Sequence, residues 1–297
     1  MEFLSNSSQN IQENTQLLCD KLENTFLNNI SKLMNSNNEL LFVNFIKDIF
    51  CIFAEKNKRK YELAYDVIAE IVNNVNKWTT PYLCDMLVDI MDDSSRAQKE
   101  YAILTLKLLV EKNSDQVRIC MPKLIPIIVS CIGDVTPGVK KNSSDVLELL
   151  LKCSGNADLD TFIPIVLKGL KEPSTVDSAV EGLASCVFVQ NVEAPALAIT
   201  TPILVKGLNE KLTSTKRKCC IIIDNMCQLV EHPKEILPFY ARLKKLLEYC
   251  NETIADPEAR NVCNRALNTL KGACSVNENT SFHKTSKDID NIMLENV

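Results

Sequence analysis

Glycine is scarce, with seven in 297 residues, against a usual frequency of about 7%. Few positions remain for tight hairpins or phosphate-cradling backbone loops, so β-rich folds and nucleotide-binding α/β domains are disfavoured. Histidine is limited to His232 and His283, which leaves little for acid–base catalysis or metal ligation. Long apolar runs are missing: Leu124–Ile132 and Ile221–Val230 are among the most apolar stretches, about half of what a bilayer span requires. Residues 1–10 show no secretory signal. No sign of charge dominates, since 33 basic residues face 38 acidic ones for a net charge of −5. Such a balance argues against coating nucleic acid through the overall field. These absences predict an all-α, soluble, cytoplasmic protein with no membrane segment.

What is present is an apolar content of 46% and 13 cysteines, none spaced Cys-x-x-Cys. Many of the cysteines stand at apolar positions of helical pattern, as small core residues kept reduced. A motif recurs: Ile125-Pro126-Ile-Ile-Val-Ser-Cys-Ile132, Ile163-Pro164-Ile-Val-Leu-Lys-Gly-Leu170, Thr201-Pro202-Ile-Leu-Val-Lys-Gly-Leu208 and Leu237-Pro238-Phe-Tyr-Ala-Arg-Leu-Lys244. Its prolines are 38, 38 and 36 residues apart, and Pro81 precedes the first by 45, the period of paired-helix solenoids. The proline is expected in the first turn of a helix, where its missing N–H costs nothing. A turn and a second amphipathic helix follow, as at Ala97–Val110, Val139–Lys152, Lys216–Val230 and Glu258–Lys271. Neither helix of a pair can bury its stripe alone, so the pairs must stack.

Residues 1–10 read as a disordered tail. Residues 11–80 have no Pro or Gly and many Asn, and read as degenerate N-terminal repeats with helices near Gln12–Met34, Glu39–Glu55 and Lys58–Asn76. Residues 81–274 are HEAT-like repeats, and 275–297 are a polar tail with a short Ile289, Ile292, Met293 stripe. The expected architecture is an all-α HEAT/armadillo-like helical-repeat solenoid, a superhelix of about six to seven pairs with the second helices on its concave side.

Two blocks carry a resemblance. Lys216-Arg217-Lys218 leads through Cys219 and Cys220 to Asp224-Asn225-Met226-Cys227, and Asp256-Pro257-Glu258-Ala259-Arg260 leads to Arg265. With Asp115-Gln116-Val117, Phe162-Ile163-Pro164 and Gly207-Leu208-Asn209-Glu210 upstream, they resemble the N-terminal HEAT-repeat region of fungal-type translation elongation factor 3. The Asp256 block is also shared with the giant ribosome-bound HEAT protein of the amino-acid starvation response. The elongation factor continues into two ATP-binding cassettes, whose signatures do not occur in these residues. The nearest approach to a phosphate loop, Gly133 to Gly138 and Lys140, has its lysine one place late and lacks the Ser/Thr after it.

Candidate chemistry is thin. His232 precedes Pro233 in a turn and His283 lies in the polar tail, so both read as solvated. Cys219, Cys220 and Cys227 could suggest a soft metal site, but the seven-residue spacing of Cys220 and Cys227 on one helix is that of a packing stripe, and no metal or cofactor is expected. Asp224 and Asn225 interrupt an apolar run and read as structural polar residues tying neighbouring repeats. Asp256 is placed to cap a helix, and Arg260 to pair with an acid of the adjacent repeat. The basic residues Lys140, Lys141, Lys216, Arg217, Lys218, Arg260 and Arg265 are expected to form a discontinuous ridge that holds phosphates without reading sequence.

The resemblance implies a non-catalytic array whose partner is the ribosome, through rRNA and ribosomal proteins, serving as a translation accessory or as a competitor of the full-length factor. Other proteins would bind the concave face, and neither ATP nor a membrane is involved. The alternative is a generic protein–protein interaction scaffold with a different partner.

Overall fold

The structure is a computed structural model that describes residues 39–55, 59–92 and 94–275. The expected tail 1–10, the helix Gln12–Met34 and the segment 276–297 with His283 lie outside these residues. Every described element is helical. The chain divides between Leu149 and Leu150 into two compact units.

In the first unit, α1 (Glu39–Phe50) runs into a 3-10 turn at Cys51–Ala54, followed by α2 (Arg59–Asn74), a 3-10 turn at Lys77–Thr79, α3 (Thr80–Asp92), α4 (Arg96–Ile132) and α5 (Pro137–Lys152), within which the division falls. The second unit contains α6 (Ala157–Asp160), α7 (Ile163–Lys171), α8 (Val176–Ala184), α9 (Ala194–Asn209), α10 (Thr213–Gln228), α11 (Pro233–Thr253) and α12 (Pro257–Ser275). Although α4 is continuous in its hydrogen bonding, Asn113 at φ −127°, ψ 49° breaks it into two helices. With that break the described residues make six helix pairs, an all-α HEAT/armadillo-like repeat fold.

Local chemistry sets these boundaries. Ser95 opens α4 with a capping box: its Oγ accepts from the Gln98 N–H at 3.4 Å, and the Gln98 side chain accepts from the Ser95 N–H at 3.1 Å. Asp256 does the same work for α12, its carboxylate accepting from the N–H groups of Glu258 and Ala259 at 3.2 and 3.4 Å. The apolar stripe of α3, Leu83, Cys84, Leu87, Ile90 and Met91, is buried where α3 packs on α4. Phe53 stacks on Tyr101 with ring centroids 4.2 Å apart, sealing α4 against the turn after α1.

The lead prolines differ in part from expectation. Pro81 and Pro164 do sit in first turns, whereas Pro126, Pro202 and Pro238 stand inside α4, α9 and α11. Helices α9 and α11 start earlier because Pro195 and Pro233 already occupy their first turns. An interior proline forfeits one helical hydrogen bond. In α9 the burial of twelve residues between Pro195 and Leu208 offsets that loss. This helix is apolar on every side, as a helix enclosed by neighbours should be, and it packs against α7, α8, α10 and α11.

Two glycines allow the closest helix contacts. A Cβ at Gly207 would stand 2.5 Å from the Cys219 Sγ, and one at Gly169 would stand 2.6 Å from the Ala179 Cβ. Both belong to the recurring Lys-Gly-Leu. No described helix is long and apolar enough to cross a membrane.

Candidate functional site

The second helices of the second unit, α8, α10 and α12, lie side by side. Residues about 40 positions apart therefore face each other, and the sequence places complementary groups at those positions. The Lys218 ammonium bonds Glu181 of the preceding repeat at 2.7 Å, and the Arg217 guanidinium bonds Glu258 of the following one at 2.6 Å. The Thr215 hydroxyl donates to Asp177 at 2.9 Å. Hydrogen bonding from Lys218 holds the Glu181 carboxyl below its ordinary range.

Asp224 is the deepest of these groups, 1% exposed. It accepts from the Arg265 Nε at 2.8 Å and from the Thr269 hydroxyl at 2.6 Å, so a carboxylate in the core of α10 is satisfied by two donors of α12. Asn225 is exposed and makes none of these contacts. The expected pairing of Arg260 with an acid is replaced by a backbone clamp: its guanidinium donates to the Ile254 oxygen at 2.9 and 3.1 Å and to that of Ala255 at 3.3 Å. The cause is the chain turn at Ile254–Asp256, which leaves terminal carbonyls of α11 facing the first turn of α12.

The expected cationic ridge is thus largely spent on the fold. Among its five members in the second unit, Lys216 alone has neither an acid nor a carbonyl partner among the described residues. Lys140 and Lys141 are exposed on α5, in a different unit, and form no ion pair with a described residue. Clustering of charge in the sequence did not reveal that neighbouring second helices offer acids to one another.

Cys219, Cys220 and Cys227 are buried on α10, and burial raises the thiols of Cys219 and Cys227, the latter to about 12. Among the described residues no group of three or more His, Cys, Asp or Glu is arranged to hold a metal ion. His232 is exposed immediately before α11.

Sequence reasoning also passed over the first helices. The Lys206 ammonium donates to the Gly169 and Leu170 oxygens at 3.4 and 3.0 Å, capping the end of α7, and burial lowers its pKa. In the first unit Lys112 caps the end of α2, donating to the oxygens of Val72, Asn73 and Val75. The signal for the first of these was available in the repeated Lys of the motif itself.

Two family profiles cover most of this chain. Residues 3–147 match the EF3 N-terminal HEAT repeat, and residues 174–281 match the Elongation factor 3/GNC1 HEAT repeat. Elongation factor 3A of Saccharomyces cerevisiae is 35% identical over 232 residues, 78% of this chain and 22% of the relative. Elongation factor 3 of Pneumocystis carinii is 36% identical over 216 residues, with coverages of 72% and 21%. Elongation factor 3 of Eremothecium gossypii is 30% identical over 277 residues, with coverages of 91% and 26%. The chain spans between a fifth and about a quarter of the length of these curated relatives. Helix pairs that repeat through both units, and profiles that match in each, lead to one conclusion: this chain belongs to the elongation factor 3 HEAT-repeat family.

Proposed function

We propose that this chain is a non-catalytic, cytoplasmic binding array that associates with the ribosome, as a translation accessory or as a competitor of a full-length elongation factor 3. The observation that carries the reading is the match of two elongation factor 3 HEAT profiles across 3–147 and 174–281. The surface agrees with it, because Lys140, Lys141 and Lys216 keep charges that no described acid neutralises, and such charges suit phosphate groups. Co-sedimentation of the purified chain with ribosomes through a sucrose cushion tests it. The chain should pellet at low salt and be released as salt rises. A chain that stays in the supernatant at low salt refutes the reading. In a phosphate-release assay the chain alone should turn over no ATP, with or without ribosomes.

A protein partner is the second reading, and Trp78 favours it. This residue is 73% exposed beside Tyr82 at 49%, and large exposed aromatics of this kind anchor protein interfaces. Affinity capture that yields one protein and no ribosomal component would select it.

A further inference from the structure

Two pairs of cysteines meet across packed helices. Cys84 of α3 lies against Cys120 of α4, and Cys220 of α10 against Cys263 of α12, each pair joined by a hydrogen bond between the thiols. Contacts on either side fix the register of the first pair. The Asn113 amide donates to the Thr80 hydroxyl at 2.9 Å across 33 positions, and the Lys123 ammonium donates to Asp85 at 2.6 Å across 38. Cys84 and Cys120, 36 positions apart, fall between them on the same interface. The second pair is bracketed likewise, by Arg217 with Glu258 and by Asp224 with Arg265.

Access separates the two pairs. Cys220 and Cys263 are both 0% exposed, and the Cys263 thiol is turned to the Leu247 oxygen at 3.2 Å. Cys120 keeps 7% of its surface, beside Ile119 at 65%, while Cys84 behind it is 1% exposed. A small oxidant can therefore reach one sulfur of this pair and not the other. The hydrogen bond donated by Cys84 brings the Cys120 thiol below its ordinary 9.0, and the Lys123 ammonium acts in the same sense, against burial and the Asp85 charge. The same bond raises Cys84, so negative charge develops on the sulfur that solvent touches. Oxidation selects a thiolate of this kind, partly exposed and next to a second thiol.

We propose that Cys84 and Cys120 are a peroxide-sensitive pair that closes into a disulfide, joining the first helices of two consecutive repeats. The Cys120 thiolate sulfur attacks one oxygen of hydrogen peroxide; the O–O bond breaks, and the departing hydroxide takes up the thiol proton and leaves as water. The Cys84 sulfur then attacks the sulfenic sulfur of Cys120. The S–O bond breaks as the S–S bond forms, and the oxygen leaves as a second water with the Cys84 proton. In all, two thiols lose two electrons and the peroxide gains them. The bond closes the chain on itself across the break at Asn113, so it holds α3 to the part of α4 beyond that break and stiffens the first unit. The inference is independent of the ribosome association.

The test uses the full, reduced chain, treated with a few equivalents of hydrogen peroxide, blocked with iodoacetamide and mapped by mass spectrometry without reduction. A peptide pair joined through Cys84 and Cys120 is expected, lighter by two hydrogens than its parts, and dithiothreitol should restore both thiols. Cys220 and Cys263 should remain thiols at the same dose. The thermal midpoint of the first unit, read from the fluorescence of Trp78, should rise by about 10 °C on oxidation and return on reduction. Cys84→Ser should leave a sulfenic acid on Cys120 that dimedone traps, and Cys120→Ser should leave Cys84 unlabelled; circular dichroism checks that both variants fold. An oxidised chain without the Cys84–Cys120 peptide would overturn the proposal whatever the variants do. So would a Cys220–Cys263 disulfide at an equal or lower dose, a cross-linked chain whose midpoint does not rise, or dimedone on Cys84 in the folded Cys120→Ser variant.

Discussion

The contact of Asp224 with Arg265 makes an asymmetric prediction. The Asp224 side chain is 2% exposed and that of Arg265 is 60% exposed, so exposure alone ranks Arg265 as the more dispensable. Energetics reverse the order. Arg265→Ala strands a buried carboxylate with only the Thr269 hydroxyl, 2.6 Å away, to bond it, and an uncompensated buried charge costs about 3–5 kcal/mol. Asp224→Ala removes the acceptor but leaves a guanidinium that water can reach and a hydroxyl that keeps the Arg265 oxygen at 3.1 Å. The loss there is that of charge-assisted hydrogen bonds, about 1.5–3 kcal/mol. The double variant should be no less stable than Arg265→Ala alone, because it takes away the stranded charge. The assay is urea unfolding followed by far-ultraviolet circular dichroism, with hydrogen exchange in α10 and α12. Tryptophan fluorescence would miss the effect, since Trp78 belongs to the first unit. Arg265→Ala less damaging than Asp224→Ala would refute the reasoning.

Other expectations follow from the packing. Gly207→Ala and Gly169→Ala should each destabilise by about 1–3 kcal/mol through overpacking, whereas Gly272→Ala, whose Cβ would meet nothing within 4 Å, should gain up to about 1 kcal/mol of helix propensity; thermal unfolding of the three separates them. Alkylation under native conditions should mark exposed Cys51 first among the described cysteines and spare Cys219, Cys220 and Cys227 until the chain unfolds, as peptide mapping would show. Burial lifts the Cys227 thiol from its ordinary 9.0 to about 12. Its contribution is complete below pH 9 and fades as pH rises toward 12, at about 1.4 kcal/mol per pH unit. A denaturation midpoint that stays level through that window would contradict the burial of this thiol.

Helix pairing was readable from the chain because its causes are local and periodic. The lead prolines, the scarcity of glycine and the apolar stripes each act within one or two turns, and they placed α3, α7, α10 and α12 within a few residues. The break at Asn113 falls three residues after the end of the expected helix Ala97–Val110, but its anchor was not readable, since the Asn113 amide bonds the Thr80 hydroxyl 33 positions back. Partner choice for charged side chains was least legible. Lys216, Arg217 and Lys218 look alike in sequence, yet two of the three meet an acid about 40 residues away and one does not, a difference set by stacking.

The enclosed helix α9 makes the repeat of α11 and α12 indispensable. Ideal stacked arrays can lose a terminal unit and keep the rest, because each contacts only its neighbours. Here a fragment cut at His232 would bare the side of α9 that rests on α11, a rod with no polar face to turn outward. Synthesis completes α9 at Asn209 before Pro233 opens α11. A nascent chain is consequently prone to self-association until α11 closes over α9.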